Sequence, residues 1–124
     1  MRLLLDTQAF LWSAGDTKKL SKRAREAIED PANEILVSVA VSWEIVIKHG
    51  LGKLQLPLTP EFFVPNRIRV LGFQELDIRH DHVLAIASLP KLHADPFDRM
   101  MIAQAQVEGA AILTPDAIVR KYLK

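Results

Sequence analysis

The chain has 124 residues, 49% of them apolar and 25% charged, which fits one domain with enough apolar surface for a core and excludes a disordered chain. Its 16 Lys and Arg against 15 Asp and Glu leave a formal charge of +1, and that balance argues against binding nucleic acid by bulk charge alone. The absence of cysteine excludes disulfides, iron–sulfur clusters, thiolate zinc sites and cysteine nucleophiles. Asp6 cuts short the opening run Leu3-Leu4-Leu5, so no secretory signal is read. No stretch nears the roughly 18 apolar residues of a membrane span. The expected setting is cytoplasmic, with no membrane partner.

In chain order, residues 1–5 read as a short buried strand. Asp6 can cap a helix from Thr7 to about Ser13, followed by a turn at Gly15-Asp16. Leu20, Ala24, Ala27 and Ile28 recur at helical spacing, with Ser21 as N-cap and Asp30-Pro31 as the stop. Residues 34–38 (EILVS) form a second strand. A helix over residues 39–49 follows, with Gly50 expected to stop it. Thr59-Pro60-Glu61 has cap, first-turn proline and first-turn acid in order, and Pro65 is expected to limit or kink that helix. Residues 73–78 are a weaker strand, and residues 80–89 a helix ended by Pro90. Asp95-Pro96 opens a helix to Glu108, with Gly109 past its end. Residues 111–114 (AILT) form a fourth strand, and Asp116 is expected to cap a short terminal helix to about Tyr122. Short apolar strands alternating with helices predict a single α/β domain over residues 1–124. Its mostly parallel sheet of four to five short strands should carry helices on both faces. In such sheets the ligand crevice lies beyond the carboxyl ends of the strands.

That edge is where the acids fall. Asp6 ends the first strand, Asp116 lies just beyond the last, and Glu44 lies in the helix after the second. Asp95 and Asp98 open another helix that starts there. Asp6, Asp95 and Asp116 also read as helix caps, each worth about 1 kcal/mol. Glu44 is different: it is the sole charged residue in ILVSVAVSWEIVI. Val39, Trp43, Val46 and Ile47 make one apolar stripe of its helix, and Val41 and Ile45 another, so the helix is expected to be buried on most sides. A carboxylate there is expensive unless something uses it. The competing account is an i,i+4 pair with Lys48, worth about 0.3–0.5 kcal/mol if exposed. Grouped carboxylates repel until a cation neutralises them, and oxygen ligands select Mg²⁺ or Mn²⁺. Metal-assisted hydrolysis of a phosphodiester fits that chemistry.

At these residues the sequence resembles PIN-domain ribonucleases, and among them the VapC toxins of toxin–antitoxin pairs. LLLDTQAFLW matches the motif around the first acid, SVAVSWEIVIKHGLGKL the second, HADPFDRMMIAQA the third and ILTPD the fourth. The resemblance implies a PIN-like fold and a metal-dependent endoribonuclease. Asp6, Glu44, Asp98 and Asp116 would form the site, Asp95 would assist in holding Mg²⁺ or Mn²⁺, and Thr114 and Thr7 would support the carboxylates. It also implies an RNA substrate, a homodimer and a VapB-type antitoxin whose tail covers the cleft. Backbone contacts to RNA are expected from Arg99, Lys18, Lys19, Lys22, Arg23 and Arg25; a solvated helix face is the plain alternative. An RNA-processing nuclease without a toxin role and a catalytically silent binding module are the other readings.

Gly50-Leu51-Gly52-Lys53 superficially resembles a phosphate loop, but it lacks the earlier glycine and follows a helix. His80, His82 and His93 lack the geometry of a zinc site. Without the four matched acids the rest of the chain holds 16 basic and 11 acidic residues, or +5, and residues 17–25 carry five basic groups and no acid. Near-neutrality thus averages an acidic cleft with a basic surround.

Overall fold

The computed structural model describes residues 1–90 and 95–119. Five strands form one sheet in the order β3-β2-β1-β4-β5: β1 (Arg2–Leu5), β2 (Glu34–Ser38), β3 (Gln74–Leu76), β4 (Ala111–Leu113) and β5 (Ile118–Val119). β1 pairs in parallel with β2 and β4, β2 in parallel with β3, and β5 is antiparallel to β4. The order runs outward from β1 through β2 to β3, then returns to β4 on the other side of β1. This reversal makes the carboxyl end of β1 the topological switch point of the sheet.

Leu3, Leu4 and Leu5 are all fully buried. Successive strand residues face opposite sides, so both faces of β1 are covered, as the unbroken LLL run predicts. The covering helices among the described residues are α1 (Thr7–Gly15), α2 (Lys22–Glu29), α3 (Val39–Gly50), α4 (Pro60–Leu71), α5 (His80–Ala85) and α6 (Pro96–Glu108). None is long and apolar enough to cross a membrane. A buried polar link ties the layers together. Ser38 Oγ donates to Gln104 Oε1 at 2.5 Å, and Gln104 Nε2 donates to the Asp77 carbonyl at 3.3 Å.

Several expectations change. The helix expected after Asp116 is absent from the described residues: Ile118 and Val119 instead form β5. Thr114 Oγ1 accepts from the backbone N–H of Ala117 (3.0 Å) and Asp116 (3.3 Å), and this turn sends two β-branched residues back along β4. The expected end near Tyr122, like His93, lies outside the described residues. Gly50 does not stop α3. It is helical, and the left-handed position is Gly52, at φ 73°. Pro65 does not end α4, which continues to Leu71. Nor is α3 buried on most sides. Ala40, Val41, Glu44 and Ile45 are buried, but Trp43 is 56% exposed and Val46 53%. One of its two apolar stripes faces the core and the other faces outward. The helix expected over residues 80–89 is α5 followed by a 3-10 turn at Ile86–Ser88.

Candidate active site

The site grows from the end of β1. Asp6 leaves the strand in extended conformation, and its Oδ1 accepts from the Ala9 N–H at 2.7 Å, capping α1. Its backbone N–H donates to the Leu113 carbonyl at 3.0 Å, so the end of β4 lies beside it. One residue on, Thr7 Oγ1 donates to Glu44 Oε1 at 2.5 Å. Ser38 caps α3 through the Ala40 N–H at 2.9 Å, and this sets the helix so that Glu44, one and a half turns in, faces the end of β1. The second Glu44 oxygen, Oε2, meets Lys48 Nζ at 2.5 Å. Asp95 caps α6, accepting from Phe97 N (2.8 Å) and Asp98 N (3.1 Å), and Pro96 supplies the first helical position. Asp98 stands in that first turn. Trp43 and Phe97 meet edge to face at 5.1 Å and join α3 to α6.

These elements enclose a cleft of about 390 Å³ lined by Asp6, Thr7, Gln8, Leu11, Glu44, Lys48, Lys53, Leu54, Asp95 and Asp98. Larger hollows occur between α3 and α4 and beside the start of β2, at about 610 and 450 Å³. Chemistry and not volume singles out the smaller one, which four carboxylates line at the switch point. Burial pushes the Asp6 carboxyl up to about 6. The Ala9 N–H opposes the rise, and the charges of Asp98 and Glu44 add to it. Lys48 is raised above the ordinary lysine value, first by its hydrogen bond to Glu44 and then, against some burial, by the charges of Glu44, Asp95 and Asp98.

Oxygen-only donors of this kind suit a hard divalent cation. The raised Asp6 carboxyl reflects burial first, and the charges of Asp98 and Glu44 add to it. Among the described residues, no three His, Asp or Glu side chains converge closely enough to hold a metal ion as they stand. Glu44 gives one oxygen to Thr7 and the other to Lys48, and Asp6 and Asp95 give oxygens to backbone caps. The residues fit the ion in type and share one cleft, and they would have to draw closer to hold it.

The expected residues are thus partly united. Asp6, Glu44, Asp95, Asp98 and Thr7 share the cleft. Asp116 lies at the same edge of the sheet but is exposed on the β4–β5 turn, outside the cleft lining. Thr114 serves that turn. Lys18 and Lys19 lie on a 3-10 turn, and Lys22, Arg23 and Arg25 on α2, all exposed. The Pro115 carbonyl accepts from Ser21 N at 2.8 Å, which docks the start of α2 at this edge. Lys19 Nζ lies 5.6 Å from the centre of the Trp12 ring, and Lys22 pairs loosely with Glu26 at 3.8 Å. Arg99 donates to the carbonyls of Pro90 (3.3 Å) and Ile86 (3.2 Å), tying α6 to the turn after α5. Two charged cleft residues escaped sequence reasoning as site members, Lys48 and Lys53. The first is signalled by a lysine four places after an isolated glutamate. The second has no signal beyond its place in the turn after α3.

Comparison with known proteins agrees with this architecture. Ribonuclease VapC16 of Mycobacterium tuberculosis (strain ATCC 25618 / H37Rv) is 41% identical over 58 residues, which span 47% of this chain and 41% of that protein. The match thus covers less than half of the relative's length. The fold superposes with TM-score 0.64 on the crystal structure of VapBC2 from Rickettsia felis bound to a DNA fragment from their promoter, at 15% identity over 90% of this chain and 86% of that one. DNA-bound VapBC from Salmonella typhimurium gives 0.63, at 18% identity over 92% and 86%. The PIN domain family model matches residues 3–123. The chain belongs to the PIN domain family.

Proposed function

We propose that this chain, a single domain over residues 1–124, is an Mg²⁺- or Mn²⁺-dependent endoribonuclease, and that it is the toxin of a VapBC-type pair. The observation that carries the reading is the set of four carboxylates, Asp6, Glu44, Asp95 and Asp98, on one cleft at the switch point, where the ionisation of Asp6 is opposed. The likeness to a ribonuclease and to two VapBC complexes supports the substrate class and a VapB-type antitoxin as partner. The outward apolar residues of α3, among them Trp43 and Val46, supply surface for the antitoxin and for a homodimer. The cytoplasm is the compartment that fits.

Asp6, Glu44 and Asp98 would hold the cation, with Asp95 beside them and Asp116 at the same edge. A cation bound there makes a water more acidic and offsets charge on the phosphoryl group. Thr7 fixes Glu44 by donating to one oxygen, so the carboxylate keeps a single orientation. An ionised carboxylate of the set accepts the proton of the attacking water. The water oxygen bonds to phosphorus, the P–O3′ bond breaks and the leaving 3′-oxygen takes a proton from solvent water, giving a 5′-phosphate and a 3′-hydroxyl. Lys18, Lys19, Lys22, Arg23 and Arg25, all exposed, would hold RNA by its backbone, and Lys53 adds positive charge to the cleft itself.

The test is cleavage of RNA by wild-type chain in Mg²⁺, compared with EDTA and with Asp6→Asn and Asp98→Asn. Each of the three should lower the rate by at least about 100-fold, the scale of losing a metal ligand or its metal. Equal cleavage under all conditions would sink the metal mechanism.

A further inference from the structure

Lys48 stands in the last turn of α3, one turn beyond Glu44. Its ammonium meets Glu44 Oε2 at 2.5 Å, with the glutamate side chain 8% exposed and the lysine 50%. Thr7 holds the other oxygen. Glu44 is thus held on both sides, by a neutral donor at the end of β1 and by a half-exposed cation. Lys53 lines the same cleft, and its backbone N–H closes on the Lys48 carbonyl at 2.9 Å. It forms no ion pair among the described residues. Two ammonium groups therefore serve one acidic cleft, and one of them is docked on a carboxylate. An ammonium and a hard divalent ion want the same thing from Oε2, its negative charge at short range. With Lys48 on Oε2, Glu44 keeps neither oxygen free for a metal ion, and among the described residues no three His, Asp or Glu side chains stand close enough to hold one.

We propose that Lys48 is a tethered counter-cation that occupies Oε2 of Glu44 until a divalent ion displaces it, so that Lys48 sets the metal concentration at which the cleft loads. The inference rests on the metal-dependent reading above and deepens it. Lys48 balances the cleft in the empty protein, where four carboxylates would otherwise repel one another. It does so with a group on a flexible stem, which can leave without disturbing α3.

Calorimetric titration of Mn²⁺ into the metal-stripped full chain tests this without any assay of activity. Lys48→Met should bind Mn²⁺ roughly tenfold more tightly than wild type, the scale of one charge-assisted hydrogen bond lost by the competitor. Lys48→Arg keeps a competing cation and should stay within about threefold of wild type. Lys53→Met removes a charge from the same cleft without freeing an oxygen, so its gain should also stay under about threefold, as for a screened charge. Adding Glu44→Gln should erase the gain of Lys48→Met. Thermal unfolding in EDTA checks the fold of each variant, and Lys48→Gln replaces Lys48→Met if the latter does not fold. Unchanged or weaker Mn²⁺ binding by Lys48→Met, or an equal gain in Lys53→Met, would overturn the proposal and leave metal dependence standing. Absence of Mn²⁺ binding in wild type and every variant would overturn metal dependence itself.

Discussion

Thr7 holds a buried oxygen of Glu44 at 2.5 Å, and valine has nearly its shape without its donor. Thr7→Val therefore isolates one hydrogen bond to a carboxylate that is 6% exposed. It should cost about 1–2 kcal/mol of stability. If Glu44 works as proposed, it should also lower the rate of RNA cleavage about 10–100-fold, the usual effect of losing a group that orients a ligand. Tm and kcat measured together check this, and a Tm drop with unchanged kcat would remove Glu44 from the reaction. Glu44 was legible because it is the sole charge in a thirteen-residue apolar stretch. The sequence posed a choice between function and pairing with Lys48. The structure shows the pair and still puts the residue in the cleft, because a carboxylate has two oxygens. Asp116 has the right spacing, yet a side chain three residues past a strand is aimed by its turn, and Thr114 decides that turn through hydrogen bonds no periodicity reveals. Ser38 and Gln104 were not foreseen, since a single polar residue in a strand or helix gives no sign that it meets another 66 positions away.

Helix ends show why elements were read better than their boundaries. Asp95, Pro96 and Gly109 frame α6 as the sequence predicts, and Gly109 takes φ 64°. The Ala110 N–H then closes on the Ala105 carbonyl at 2.9 Å, a wrap that needs the left-handed residue between. Gly50 was expected to end α3, and Gly52 stands two residues beyond it. The hydrogen bonds Gly52 N to His49 O (3.0 Å) and Lys53 N to Lys48 O (2.9 Å) select Gly52, and only the closed turn distinguishes the two. This contrast can be measured. Gly109→Ala forces an alanine into the left-handed region and should cost about 1 kcal/mol. Gly50→Ala meets nothing within 4 Å at a helical position and should be neutral or stabilising by up to about 1 kcal/mol. Urea midpoints decide it, and equal effects at the two sites would refute the helix ending assigned here. The exposed stripe of α3 was misjudged for a related reason. Periodicity says that two faces are apolar, but it does not say how many neighbours the fold supplies to cover them.

Charge is divided along the strands, and the two edges of the sheet answer pH in opposite directions. At the carboxyl edge burial raises Asp6 from 3.8 to about 6. The native state then holds a proton that the unfolded chain releases, so the stability due to Asp6 is complete below about pH 4 and is lost as pH rises through 6. At the opposite edge Glu108 accepts from His82 Nε2 (2.9 Å), Arg79 (2.7 Å) and Arg2 (3.3 Å). The Arg79 N–H donates to His82 Nδ1 at 3.1 Å, which leaves Nε2 as the protonated ring nitrogen facing Glu108. These partners, His82 foremost, hold Glu108 down from 4.5 to about 2. Its contribution is complete above about pH 4.5 and is lost as pH falls toward 2. Each edge is worth on the order of 1–3 kcal/mol by linkage. Together they predict that the metal-free chain is most stable near pH 4 and weakens toward pH 6–7. Asp6→Asn should flatten the decline above pH 4, and Glu108→Gln the rise below it. Mn²⁺ should flatten the decline as Asp6→Asn does, because a cation among the carboxylates favours the ionised form that burial opposes. Urea unfolding from pH 2.5 to 7.5, with EDTA and with Mn²⁺, separates these contributions as differences between variants. A decline that persists in Asp6→Asn would place its origin outside the cleft. The formal charge of +1 concealed this division, because an acidic cleft and a basic surround cancel in the sum but remain separate in space.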